Sequence, residues 1–195
     1  LHRRGAPEIF AGMPTIRIEP EFFAIWEYRL KRLFDICGAL LGIIFLAPLF
    51  ITVAIAIKLS SPGSVFYSQE RIGLHGQVFR MWKFRTMCID ADRRQAELEQ
   101  LNESKDGVMF KIKHDPRIIP IGHFLRRMSI DELPQLFNVL IGQMSMVGPR
   151  PLPVRDVARF EEWHHTRHVV LPGITGFWQI SGRSNIDTID DAARL

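Results

Sequence analysis

The residues best placed for chemistry lie in segment 129–140, SIDELPQLFNVL, where Asp131 and Glu132 are adjacent. Ser129 stands three residues before Glu132, as in a capping box, and Pro134 is tolerated only in the first turn of a helix. The pattern therefore predicts a helix that begins here, with both carboxylates at its N-terminus, where backbone amides favour anions. Acidic residues also occupy first turns for stability alone, so the pair by itself leaves both interpretations open.

Basic residues in two other segments have the chemistry to bind phosphate oxygens. Lys83 and Arg85 end a predicted strand in the segment KFRTM. Arg150 lies in the rigid turn GPRP, where an outward guanidinium can bind a phosphate or a carboxylate through two hydrogen bonds. Bases at strand ends are usually just solvated, so each signal is weak alone.

A histidine cluster in the predicted helix 155–170 offers imidazole ligands for a metal ion. His164 and His168 are four residues apart, with His165 between them. No cysteine ligand accompanies them, and interfacial polar residues are the better interpretation.

The elements that must position these groups include a long apolar run. Residues 36–57 contain no charge over 22 positions, and roughly 20 apolar residues cross the core of a bilayer. The nitrogen of Pro48 cannot donate to the carbonyl of Ile44, so a break or kink is predicted there. Both flanks are basic, with Lys58 and Arg71 on the downstream side. This favours a helix that enters, turns at Pro48 and leaves by the same face. A kinked spanning helix is the alternative.

The remaining pattern predicts an irregular lead-in over 1–20 and an amphipathic interfacial helix over 21–35. It also predicts a β-hairpin from segments 65–69 and 77–84, a surface helix over 90–106 and a basic helix after Pro120.

Composition narrows the function classes. The net charge of +4 is mild and fits anionic headgroups and phosphorylated substrates. Nucleic-acid binding is the poorer interpretation, because no aromatic platform accompanies the charge. Cys37 and Cys88 cannot build a disulfide framework or a CxxC site, which fits a reducing compartment. Because the chain starts with Leu1, we expect a piece of something longer.

Seven segments stand in one order that resembles a known family. They are KRLFDICGALL, the proline-broken run, SPGSVFYSQERIG, FRMWKFRTM, SIDELPQLFNVL, MSMVGPRP and PGITGFWQISGR. Over residues 28–184 the chain resembles the bacterial sugar transferases, the monotopic phosphoglycosyl transferases. The resemblance implies an α+β monotopic membrane protein, with a re-entrant helix-break-helix hairpin, interfacial helices and a small sheet around the site.

The resemblance also implies an activity. Such enzymes move a sugar 1-phosphate from a nucleotide sugar, expected here to be a UDP sugar, to polyprenyl (undecaprenyl) phosphate, and so initiate polysaccharide or glycoconjugate assembly at the cytoplasmic face of the bacterial inner membrane. By position, Asp131 would be the nucleophile that carries the phosphosugar, and Glu132 would bind magnesium. The substrate-binding residues implied by matching motifs are Lys83, Arg85, Arg126, Pro149, Arg150 and Arg183.

The family pattern and this chain differ in places. The family's Ser-Pro pair at the membrane break is Ala47-Pro48 here, and the family continues past Leu195 with a further helix and an acidic residue. We therefore expect a lead-in over 1–27 and a catalytic domain over 28–195, incomplete at its C-terminus, with the re-entrant helix at 33–59. Homo-oligomerisation is compatible with this organisation.

Two other function classes stay open from the sequence. A membrane anchor could use the acidic pair as a helix cap, although the surrounding bases argue against it. A diphosphate hydrolase would differ only in letting water take the intermediate. Neither the sugar nor the oligomeric state follows from these residues.

Overall fold

A computed structural model describes residues 6–10, 13–17, 25–91, 93–94, 115–158, 160 and 162–176. Contacts divide the chain into two compact units, Leu1–Leu33 and Phe34–Leu195. The first unit contains strands β1 (Ala6–Phe10) and β2 (Met13–Arg17), which pair antiparallel. The prediction of an irregular lead-in was therefore wrong for these strands. Their prolines are tolerated because a two-stranded sheet has two open edges.

The longest element is α1, Ile25–Ser60, a helix of 36 residues that contains the whole apolar run. Among the described residues it is the one helix long and apolar enough to cross a membrane. Its helical assignment continues through Pro48. A proline inside a membrane helix removes one backbone hydrogen-bond donor, but the helix can continue past it. The predicted break and the re-entrant hairpin are therefore not confirmed and stay predictions.

One side of α1 packs against the rest of the second unit over the length of the apolar run. Ala39 is fully buried in a core cluster with Met81 and Val139. Further along, Val53 and Ile57 are buried in a second cluster that includes Phe84 and Leu125. The opposite side of α1 leaves large apolar side chains exposed, among them Leu41, Ile44, Phe45, Ile51 and Ile55.

The predicted β-hairpin is confirmed as β3 (Phe66–Ile72) and β4 (Val78–Phe84), which pair antiparallel. A short 3₁₀ turn at Leu74–Gly76 joins them. Side chains alternate between the two faces of a strand, so Phe79, Met81 and Lys83 share a face. Phe79 and Met81 enter the core, and Lys83 continues this face toward the acidic pair.

The acidic segment folds differently from the predicted capped helix. Helix α2, Pro120–Arg127, confirms the basic helix after Pro120. Ser129 then adopts a left-handed backbone with φ 57°, and Ile130–Glu132 form a 3₁₀ turn. Helix α3, Gln135–Leu140, begins only after Pro134. The capping-box prediction was wrong because Ser129 makes no side-chain cap and the Glu132 side chain pairs with bases instead.

A two-stranded parallel sheet, β5 (Ser145–Val147) and β6 (Gly173–Thr175), holds the turn that carries Arg150. The backbones of Gly148 and Gly173 approach so closely that a Cβ on either would collide with main-chain atoms. Both positions therefore require glycine.

The region predicted as one helix over 155–170 contains two shorter elements. These are α4 (Val154–Val157) and a 3₁₀ segment at Glu162–Val169. Residues 159 and 161, which lie between these elements, are outside the described residues. The β-branched and aromatic residues of the region have modest helix propensity. Of the predicted surface helix over 90–106, residues 91, 93 and 94 are helical, and 92 and 95–106 lie outside the described residues.

A buried carboxylate joins α1 to β5. Asp35 is 5% exposed, and its Oδ1 accepts hydrogen bonds from Ser145 Oγ at 3.0 Å and from the Met146 backbone N–H at 2.9 Å. Since β5 leads directly into the turn at Gly148, Asp35 fixes the membrane-length helix to the strand that positions Arg150.

We expect Asp35→Ala to lower the free energy of unfolding by about 2 kcal/mol, because two buried donors lose their acceptor. Asp35→Asn keeps an acceptor oxygen of the same shape and should cost clearly less. Thermal or denaturant unfolding of the detergent-solubilised variants measures both. Equal losses in the two variants would contradict this role.

Candidate active site

Glu132 is the most constrained group of the site. Its side chain is 4% exposed, and Oε1 accepts hydrogen bonds from Lys83 Nζ at 2.9 Å and from Arg150 Nη2 at 3.2 Å. The two cations come from β4 and from the turn after β5. The structure thus brings together three residues that the sequence singled out from separate segments.

Asp131 is buried beside Glu132 and lines a cavity of about 430 Å³. The 3₁₀ turn of Ile130–Glu132 carries the two carboxylates on consecutive residues. Glu132 is engaged by two bases, and Asp131 lines the cavity. This division suits one carboxylate that organises the cations and one that meets a ligand.

Burial and neighbouring charges act on the pKa of the Lys83 ammonium in both directions. Burial lowers the pKa of Lys83 to about 8; the charge of Glu132 opposes this shift and Arg150 adds to it. Lys83 is therefore mostly cationic at neutral pH and loses its proton under mildly alkaline conditions.

The cavity is strongly cationic. Its described lining includes one acidic residue, Asp131, and many bases. The lining bases are Arg71, Lys83, Arg85, Arg117, Arg126, Arg150 and Arg155. Such an excess favours a ligand with several negative charges, such as a diphosphate.

Arg71 is a site residue that the sequence interpretation missed, because it was assigned to the basic flank of the apolar run. It is 9% exposed, and its guanidinium donates to the Pro151 carbonyl at 3.1 Å and to Gln69 Oε1 at 2.7 Å. Burial, followed by the charge of Arg150, lowers its pKa to about 10. In the observed hairpin Arg71 pairs with Phe79, which lies on the same face of β4 as Lys83. The predicted first strand ended at residue 69, so the sequence pattern carried no signal for this placement.

Arg85 has a structural environment that the sequence did not indicate. Its guanidinium donates to the carbonyls of Ser61, Pro62 and Ser64 at 2.6–2.9 Å and to Ser61 Oγ at 3.1 Å. It therefore organises the turn at the C-terminus of α1. A direct contact between Arg85 and substrate stays a prediction.

The other predicted substrate-binding residues have separate placements. Arg126 is exposed at the end of α2. Both Arg126 and Arg150 line the cavity. Pro149 lies in the turn before Arg150, and its carbonyl accepts a hydrogen bond from the Gly173 backbone N–H at 2.9 Å. Arg183 lies outside the described residues.

The backbone of Arg150 is held by another arginine, Arg167. Arg167 donates to the Arg150 carbonyl at 2.9 Å, and burial lowers the pKa of Arg167 to about 10. Nearby, the Phe160 ring contacts the imidazoles of His164, His165 and His168 at centroid distances of 4.9–6.0 Å. The histidines thus pack around an aromatic ring next to the Arg167 backbone.

The described residues contain no group of three or more histidine, cysteine or acidic side chains that could hold a metal ion. A dedicated all-protein cage is therefore absent from this part of the chain. The donor set instead fits magnesium in its common mode, which uses one or two carboxylates and completes the shell with substrate phosphates and water. Glu132 would be the protein carboxylate in such a shell, and magnesium binding stays a prediction.

Two buried carboxylates thus lie among cations in a domain that also contains a helix long and apolar enough to cross a membrane. The sequence model of the bacterial sugar transferase family matches residues 26–195. The chain therefore belongs to that family.

Named relatives agree with this membership. The chain is 40% identical over 188 residues to the galactosyl transferase CpsE of Streptococcus agalactiae serotype III (strain NEM316), which covers 96% of the chain and 41% of the relative. It is 42% identical over 194 residues to the UDP-glucose:undecaprenyl-phosphate glucose-1-phosphate transferase of Escherichia coli K12, covering 97% of the chain and 39% of that relative. It thus spans about two fifths of these relatives' length.

A shorter relative is matched over most of its own length. The exopolysaccharide production protein ExoY of Sinorhizobium fredii is 42% identical over 159 residues, which cover 80% of the chain and 70% of that protein.

Two arginines of the same cavity should respond differently to substitution. Arg85→Met removes the donors that hold the turn after α1, and we expect it to lower the free energy of unfolding by about 3 kcal/mol. Arg126→Met changes an exposed side chain and should leave unfolding nearly unchanged while weakening binding of a nucleotide diphosphate. Unfolding curves and titration with UDP separate these outcomes, and a stable Arg85→Met protein would contradict the structural role.

Proposed function

We propose that this domain transfers a sugar 1-phosphate from a nucleotide sugar, most simply a UDP sugar, to undecaprenyl phosphate. The observation that carries the proposal is the buried Glu132 carboxylate held between Lys83 and Arg150, next to Asp131 in a cationic cavity. The names of the relatives support it: the Escherichia coli protein is a UDP-glucose:undecaprenyl-phosphate glucose-1-phosphate transferase.

The cationic lining would bind the diphosphate of the donor. Lys83 and Arg150 already converge on one point through Glu132, and Arg126 and Arg155 lie at the cavity wall. Phosphoryl transfer depends chiefly on positioning and on stabilisation of charge on the transferring group, so convergent cations are what the reaction needs. Glu132 prevents the two cations from repelling each other before the donor arrives.

Asp131 would act as the nucleophile. One of its carboxylate oxygens attacks the phosphorus that carries the sugar; the bond to the bridging oxygen breaks, and the nucleoside monophosphate leaves with that electron pair. The product is an acyl phosphate that joins Asp131 to the sugar phosphate. Dividing one transfer into two displacements allows a soluble donor and a lipid acceptor to use the same site in turn.

In the second displacement, a phosphate oxygen of undecaprenyl phosphate attacks the same phosphorus. The bond to Asp131 breaks, the carboxylate is regenerated, and the sugar leaves on a polyprenyl diphosphate. Lys83 and Arg150 would again stabilise the charge on the transferring group.

Magnesium is the cofactor that we propose, held by Glu132 together with the donor diphosphate. When bound, it would supply Lewis-acid stabilisation of the departing nucleoside phosphate. The protein's own residues bind and orient the donor around it.

We propose a monotopic topology in which α1 enters and leaves by the cytoplasmic face of the bacterial inner membrane, turning at Pro48. Support comes from the packing of α1: buried positions recur from Asp35 to Ile57, so a domain rich in charge lies alongside the apolar run rather than at one end of it. A helix that crossed the bilayer would draw those charges into hydrocarbon, which is costly. Thr52 Oγ1 donates to the Leu49 carbonyl at 2.9 Å and supplies a hydroxyl near the proline, although the family's serine is alanine here.

We propose glucose or galactose as the sugar, since one similar relative is named a galactosyl transferase and another a glucose-1-phosphate transferase. Its product would initiate exopolysaccharide, capsule or O-antigen assembly. A diphosphate hydrolase would use the same carboxylates, and it is distinguished by whether the sugar phosphate ends on lipid or in water.

Asp131→Asn tests the nucleophile. The assay supplies undecaprenyl phosphate in detergent and labelled UDP-glucose or UDP-galactose, and measures the label that can be extracted with the lipid. We expect the parent protein to form labelled lipid and the variant to form it more slowly by about three orders of magnitude or more. Asp90→Asn, an exposed carboxylate outside the cavity, should retain transfer. Label released only into water by the parent would favour hydrolysis, and an active Asp131→Asn protein would refute the role of Asp131.

The pH dependence of donor use tests Lys83. Because Lys83 loses its proton as pH rises through about 8, kcat/KM for the donor should fall above that pH. Lys83→Arg keeps its charge, so its alkaline decline should move to higher pH. Rate profiles from about pH 6.5 to 9.5 measure the shift, and coincident profiles would show that Lys83 does not set the decline.

Labelling accessible cysteines placed before and after α1 in intact cells tests the topology. We expect both sites to react only after the cytoplasmic face is exposed. Sites that react from opposite faces would show a spanning helix.

A further inference from the structure

The amide of Asn138 joins α3 to β4. Asn138 is fully buried; its Oδ1 accepts the Trp82 backbone N–H at 3.0 Å, and its Nδ2 donates to the Arg80 carbonyl at 2.8 Å. Nδ2 also donates to Gln143 Oε1 at 2.7 Å. One side chain thus satisfies an N–H and a carbonyl of β4 in the way that a neighbouring strand would.

The two elements that this amide joins carry the two partners of the central ion pair. Lys83 directly follows Trp82 on β4, and Glu132 lies in the turn that leads into α3. The distance between Lys83 Nζ and Glu132 Oε1, 2.9 Å, therefore depends on how α3 is placed along β4.

Apolar packing alone does not fix that placement. Leu136 and Val139 of α3 pack with Phe79 and Met81 of β4, and such contacts are non-directional. A slide of about 1 Å along the strand would preserve most of the buried area but would break a hydrogen bond of this length. The Asn138 amide is directional at both ends, so it resists the slide.

We propose that Asn138 is a positioning residue that sets the contact between Lys83 and Glu132. Its effect on sugar-phosphate transfer rests on the function proposed above, whereas its effect on the ion pair does not. The experiment therefore reads the ion pair and the reaction separately.

The first arm measures the accessibility of Lys83 to an amine-reactive reagent by mass spectrometry at fixed pH, with exposed Lys58 as an internal reference. In the parent protein, Glu132 and burial protect Lys83. We expect Asn138→Ala to raise Lys83 labelling several-fold relative to Lys58. Val139→Ala, which removes a fully buried neighbour from the same helix and leaves the amide in place, should lower the melting temperature without this increase. Asn138→Ser replaces the alanine variant if that protein does not fold.

The second arm is a double-mutant cycle on kcat/KM for the nucleotide sugar. We expect Asn138→Ala to cost about 10-fold to 100-fold in the parent background and little further in the Lys83→Met background, because its effect passes through Lys83. Val139→Ala should combine multiplicatively with Lys83→Met.

Unchanged labelling of Lys83 in both Asn138 variants would overturn the proposal, and so would multiplicative losses for Asn138→Ala and Lys83→Met. Increased labelling in a protein that transfers no sugar phosphate would support the positioning role and refute the proposed function.

Discussion

The site depends on one buried carboxylate, Glu132, held between two cations from different parts of the chain. A buried charge is costly unless it is paired and hydrogen-bonded, and two cations converging without an anion would repel each other. Each member of this group therefore needs the others, as well as the elements that carry them. The tight glycine contact between β5 and β6 holds Arg150, and the Asn138 amide holds β4 against the acidic segment.

The membrane-length helix belongs to this same arrangement. It packs along the charged domain from Asp35 to Ile57, and Asp35 fixes it to the strand that leads to Arg150. The turn after α1 is held by Arg85, a neighbour of the site in sequence. The depth of α1 in a bilayer would thus set the height of Asp131 above the lipid, which is what a transfer between a soluble donor and a lipid acceptor requires.

Much of this could be predicted from local pattern. Hydropathy predicted α1, and two β-branched and aromatic segments around a glycine-containing loop predicted the hairpin. The ordered motifs indicated the family that the matching family model then established. The predictions that failed were those that depend on contacts between residues remote in sequence. The Ser129 capping box did not form, because the Glu132 side chain is engaged by Lys83 and Arg150, which are remote in sequence. Arg71 was assigned to a membrane flank, since only the strand register places it in the cavity.

In the proposed mechanism, the sugar phosphate passes through a covalent bond to Asp131. The most direct measurement is intact-protein and peptide mass spectrometry after incubation with a nucleotide sugar alone, with no lipid acceptor present. We predict an added sugar phosphate on the peptide that contains Asp131, discharged when undecaprenyl phosphate is added. A protein that transfers sugar phosphate to lipid yet never carries the adduct, or carries it in Asp131→Asn, would contradict the account.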